Sequence, residues 1–166
     1  MRRLAATLVA VLATAAPAAA AKPLTIGLAA GTVNRVPALG QPLGPALVAL
    51  APLGRPGARI RVSPSSFALR YGPPKTYRAL ALFRPVNGRL VLAALVVADA
   101  SARDPRAGPV LSAAARIASV YAVLRPANCT PACPQRFFRT DDGLTVSFGS
   151  DAGRPYVRIQ LGRAAA

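Results

Sequence analysis

Five carboxylates are all that this 166-residue chain has for acid–base work: Asp99, Asp104, Asp141, Asp142 and Asp151. It contains no histidine and no glutamate. The commonest general base and the commonest metal ligand are therefore both missing. Asp141 and Asp142 are adjacent, so on a strand they would point to opposite faces. Followed by Gly143 and flanked by alternating apolar residues, they predict a hairpin turn. Asp104-Pro105 also reads as turn chemistry. Asp99, at the end of an apolar run, is the best single candidate for a functional carboxylate, with an arginine partner as its ordinary role. Ser63, Ser65 and Ser66 together with Lys75 raise a Ser–Lys dyad, but nothing in their spacing sets its geometry. "GQPLG" and "GRPG" carry prolines where a phosphate loop needs backbone donors. A non-catalytic protein without metal or cofactor is expected, with a hydrolase or isomerase built on Asp or Ser–Lys chemistry as the enzymatic alternative.

The two cysteines, Cys129 and Cys133, lie in "NCTPACPQ". The string "CTPACP" resembles the Cys-x-x-x-Cys-Pro motif of SCO-type copper chaperones. That resemblance covers six residues and implies a thioredoxin-like fold and a copper site completed by a distant histidine. This chain has no histidine to complete it. Pro131 and Pro134 also oppose the helix start that a redox pair needs. In an oxidising compartment the expected outcome is a Cys129–Cys133 disulfide closing a tight turn. So small a ring stabilises by about 2 kcal/mol on the chain-entropy view.

The N-terminus predicts that compartment. Arg2 and Arg3 precede the short apolar stretch 4–16, then Pro17 and a run of alanines. This is the layout of a secretory signal peptide over residues 1–21, with cleavage after Ala20 or Ala21. A single domain over residues 22–166, periplasmic or secreted, is the expected product.

Charge is the remaining signal. Lysine and arginine number 21 against the five aspartates, a formal net charge of +16, of which Arg2 and Arg3 leave with the signal segment. Lys22 and Lys75 are the only lysines. Such a surface attracts polyanions in a salt-dependent manner. The partners expected are an anionic glycan, a glycolipid or an acidic protein, and nucleic acid fits the same charge. In "ARIRVSP", Arg59 and Arg61 alternate with Ile60 and Val62. In "YVRIQLG", Arg158 alternates with Val157 and Ile159. With the apolar sides buried in one sheet, Arg59, Arg61 and Arg158 would share its outer face as an anion-binding site. A carrier of a small hydrophobic ligand between helix and sheet is the other function considered.

The elements that must position these residues are mainly strands. "LTIGLAA" reads as a first strand, residues 31–45 as loop, and "ALVALAPL" as a short apolar run. "SSFALRY" continues the Arg59–Arg61 strand beyond Pro64. Asn87-Gly88 between two apolar runs predicts a type I′ hairpin, with Val86 opposite Arg89, Pro85 opposite Leu90 and Phe83 opposite Leu92. Extending that register puts Phe83, Leu92 and Val96 on one face and Leu80, Leu82 and Leu95 on the other, with both faces covered. Pro85 leaves its strand unpaired on the outer side there. "GPVLSAAARIASVYAVLR" predicts a helix from Pro109 to Arg125, burying Val110, Ala114, Ile117, Tyr121 and Leu124. A meander follows, with Leu144, Val146, Phe148, Val157, Ile159 and Leu161 inward. Together these predict an α+β domain: a mainly antiparallel sheet with one principal amphipathic helix. A β-sandwich with an ancillary helix is the alternative.

Overall fold

Asn87 and Gly88 adopt φ of 50° and 76°, as a type I′ turn requires. They join two strands in the predicted register, Val86↔Arg89, Pro85↔Leu90 and Phe83↔Leu92. This hairpin is the centre of the structure, a computed structural model that describes residues 23–126 and 136–162. The strands in chain order are β1 (Ile26–Gly27), β2 (Thr32–Val33), β3 (Val36–Pro37), β4 (Pro56–Ser63), β5 (Ser66–Tyr71), β6 (Ala79–Val86) and β7 (Arg89–Val97). After them come β8 (Arg103–Asp104), β9 (Gly108–Pro109), β10 (Arg125–Pro126), β11 (Arg136–Arg139), β12 (Leu144–Asp151) and β13 (Arg154–Leu161). Two antiparallel meanders, β4 to β7 and β10 to β13, join where β13 pairs with β7. The result is one eight-stranded sheet in the order β10-β11-β12-β13-β7-β6-β5-β4. The fold is α+β, mostly antiparallel sheet with short helices.

The β1–β3 segment and the helical segments pack against one face of this sheet, where the hydrophobic core lies. Phe67, Tyr71, Phe83, Leu92, Leu95, Val146, Val157 and Ile159 point into it. Against them pack Leu24, Ile26, Leu28 and Val33 from the β1–β3 segment, and Val110, Ala113 and Ile117. Residues read as loop and as an unassigned apolar run supply a further piece, helix α1 (Leu43–Leu50). Pro45 is tolerated because it sits in the first turn, where no intrahelical N–H is lost. Ala46, Ala49 and Leu50 are its buried side, the i, i+3, i+4 stripe of an amphipathic helix.

Four expectations are corrected. β5 does not continue β4. Pro64 and Ser65 turn the chain, and Ser63 pairs with Ser66. The predicted helix from Pro109 is a 3-10 segment, Val110–Ala115, followed by one α turn, α2 (Ile117–Val120), and Pro109 lies in β9. Within the 3-10 segment the buried residues are Val110 and Ala113, a three-residue step that matches 3-10 winding and explains why Ala113 replaces Ala114, and Ile117 follows four residues on in α2. The third correction concerns β7. Leu82 pairs with Ala94 although Phe83 pairs with Leu92, so Ala93 is an extra residue in β7. That bulge exchanges the faces of Leu95 and Val96. Leu95 enters the core and Val96 is outward and half-buried. The bulge sits where the far side of β7 changes neighbour. Leu92 exchanges backbone hydrogen bonds with Gly40 and Gln41, whereas Ala94 onward pairs with β13. Finally, on the second face of the hairpin Leu80, Leu82 and Val96 are half-buried and stand outside the hydrophobic core cluster. β5 pairs with β6 only as far as Phe83, which leaves Pro85 unpaired on that side as expected.

Among the described residues no helix is long and apolar enough to cross a membrane. The signal segment 1–21 and the Cys129–Cys133 pair lie outside the described residues.

Candidate anion-binding face

Residues directly opposite one another in a sheet share a face, so the register assigns every arginine to a side. One row of partners runs Arg70, Leu80, Val96, Arg158, Ser147, Phe137 across β5, β6, β7, β13, β12 and β11. The next runs Ile60, Ala68, Leu82, Ala94, Gln160, Thr145, Arg139, Arg125. Both rows lie on the face away from the helical layer, and neither contains a carboxylate. Arg158 is therefore on the outer face, as expected. Arg59 and Arg61 are not. They pair with Leu69 and Phe67, which point to the core side. The structure thus separates Arg59 and Arg61 from Arg158 by the thickness of the sheet.

The reason is local to β4. It is the edge strand, exposed from Pro56 to Val62, and it bends at irregularities between Pro56 and Arg59 and between Arg61 and Ser63. There the Arg59 guanidinium lies 3.6 Å from the ring centroid of Phe67, which itself stacks on Phe83 at 5.1 Å. A cation on an aromatic face caps the core edge, and Ile60 and Val62 are left outward, 39% and 58% exposed.

Arg158 has different company from that expected. Arg70 shares its row, three strands away, about 14 Å at normal strand spacing. Arg139 lies two strands away on the other side, one pair step along. Arg70, Arg139 and Arg158 are half-buried, and the Nε of each is covered without a hydrogen-bond acceptor. Among the described residues none of the three is in an ion pair; those pairs are Arg78–Asp99 and the long, exposed Arg125–Asp141. Buried donors normally have partners. Three such donors on one face, with no carboxylate in either row, make it a place where an added acceptor is favourable. Alternation signals these residues in the sequence: Phe67, Leu69 and Tyr71 inward leave Arg70 outward, and Phe138 inward leaves Arg139 outward.

The aspartates serve the fold. Asp99 accepts from Arg78 Nε at 2.7 Å and, through its other oxygen, from the Ser101 N–H and hydroxyl at 2.9 and 2.7 Å. Burial pushes its carboxyl up, but the hydrogen bonds from Ser101 and the Arg78 guanidinium outweigh that and hold it below the ordinary value. A lowered folded-state pKa contributes stability above the unfolded value and loses it as pH falls through the folded one. The stability difference between wild type and Asp99→Asn, measured by denaturant unfolding from about pH 6 to about pH 2, should therefore be present at the upper end and vanish at the lower. A constant difference would show that the charge is not what matters.

Asp142 accepts from the Thr140 hydroxyl, and Gly143 at φ 88° completes the predicted β11–β12 turn. The Ser–Lys dyad is not brought together: Ser63 ends β4, Ser65 lies in the turn and Ser66 opens β5, whereas Lys75 follows the far end of β5, roughly 17 Å along the strand.

Asp104, read as a turn residue, is 3% exposed. It accepts from the Leu28 N–H at 2.9 Å, the Arg106 and Ala107 N–H groups at 2.9 and 2.7 Å, and the Tyr121 hydroxyl at 2.8 Å. Burial, and then the Asp104 carboxylate beside it, push the Tyr121 hydroxyl well above its ordinary pKa, so it stays a neutral donor.

Comparison with known protein families, with curated proteins and with solved structures finds no match to this chain.

Proposed function

We propose that the protein is an exported, non-catalytic basic domain that binds an anionic partner through the outer face of its sheet. The observation that carries this is the set Arg70, Arg139 and Arg158 on one face, each with a covered Nε lacking an acceptor. A guanidinium lifted toward a ligand gains an acceptor for that Nε and offers a planar fork that matches phosphate or carboxylate oxygens. Half-buried Leu80, Leu82 and Val96 lie between Arg70 and Arg158. This interleaving favours a glycolipid, with both charge and apolar surface, over a purely polar glycan. The signal-peptide layout of residues 1–21 supports an envelope or secreted location, where such ligands are found.

The test uses immobilised heparin and anionic phospholipid vesicles as probes, with salt titration. Arg70→Ala, Arg139→Ala and Arg158→Ala together should weaken binding by about tenfold or more. Removing exposed Arg35, Arg55 and Arg89, the same net charge, should weaken it much less. Equal losses from the two triple variants would mean that total charge alone governs binding and that the face is not a site.

A further inference from the structure

Strand β4 has a character that the outer-face reading does not use. It is the sheet's long free edge, eight residues from Pro56 to Ser63. Every second residue of an edge strand turns its N–H and C=O away from the sheet, a template for another strand. Natural edges are blunted by charge, and Arg59 and Arg61 supply that on one side. The other side is not blunted: Ile60 and Val62 are β-branched, outward and exposed. The strand therefore shows a partner two stripes, cationic on the core side and apolar on the outer side.

We infer that β4 is a docking edge for an extended segment of another protein in which acidic and apolar residues alternate. Such a segment adds as a ninth strand, its backbone bonded to β4, its carboxylates beside Arg59 and Arg61, and its apolar side chains beside Ile60 and Val62. Charge complementarity decides the occupant. A second copy of this chain pairing edge to edge would set arginine against arginine, and like charges directly opposite are destabilising. The chain has few acids of its own with which to self-complement, only five in 166 residues.

The probe is a peptide of alternating glutamate and valine with a terminal tryptophan. The protein has no tryptophan, so its fluorescence reports the peptide alone. The full exported chain should bind it saturably, with amide hydrogen exchange slowed within residues 57–63. Arg59→Glu with Arg61→Glu should weaken binding at least about tenfold, because like charges across an interface are strongly unfavourable. Ile60→Thr with Val62→Thr, which keeps β-branching and hence the strand, should also weaken it. The Arg70/Arg139/Arg158→Ala variant should still show slowed exchange within residues 57–63 when the peptide is added, which separates this edge from the outer face. The inference is overturned by any of three results: no protection at 57–63, equal binding of a control peptide in which lysine replaces every glutamate, or undiminished binding to the charge-reversed variant when circular dichroism shows it folded.

Discussion

Asp104→Ala should lower the unfolding free energy by about 3–5 kcal/mol, since each buried donor left without an acceptor costs roughly 1–3 kcal/mol and partial hydration recovers some of that. The carboxylate receives three backbone N–H groups and one hydroxyl from three parts of the chain. Leu28 belongs to the segment after β1, Arg106 and Ala107 to the β8–β9 turn, and Tyr121 to the end of the helical segment. All of them form the layer over the core face, so the loss weakens the docking of that layer to the sheet. Two milder variants apportion the effect. Asp104→Asn keeps an acceptor for most of these donors but turns an amide toward the Leu28 N–H, and should cost about 1–3 kcal/mol. Tyr121→Phe removes only the hydroxyl and should cost about 1 kcal/mol. Denaturant unfolding with unchanged m-value is the measurement. A loss below about 1 kcal/mol for Asp104→Ala would mean that water replaces the carboxylate freely.

Phe83→Ala should cost about 3–5 kcal/mol, the range for deleting a buried aromatic ring. Phe83 is fully buried at the centre of the β5–β6–β7 sheet. Its ring stacks on Phe67, which carries the Arg59 guanidinium. The three form a column from core to edge, so the cavity left by Phe83 removes the support beneath Phe67 as well. Phe83→Leu keeps most of the volume and should cost clearly less. Near-equal costs for the two variants would show that the site collapses on the smaller residue, and that the column does not hold β4 in place.

The sequence by itself determines what depends on a few neighbouring residues. The Asn87-Gly88 turn needs positive φ at two consecutive positions, and that requirement fixes the register back to Phe83 and Leu92 with no help from distant contacts. Alternation in β12 and β13 is legible for the same reason, and so is the turn at Asp141 to Gly143. The missing histidine and glutamate restrict the chemistry before any folding is considered. Asp99 with an arginine partner follows from the excess of arginine over carboxylate.

The tertiary structure decides what depends on which strand lies beside which. The bulge at Ala93 arises because one side of β7 meets first Gly40–Gln41 and then β13, segments far apart in the chain. A single inserted residue reverses the faces of Leu95 and Val96. Arg59 and Arg61 have the same alternation as Arg158, yet β4 is at the edge, where the covering layer ends and an aromatic face can hold a cation. Inward and outward therefore exchange meaning between the two strands. Asp104 shows the same limit in polar form. Its local pattern is that of a turn, and only the approach of Leu28 and Tyr121 from distant segments buries it and makes it an acceptor for four donors.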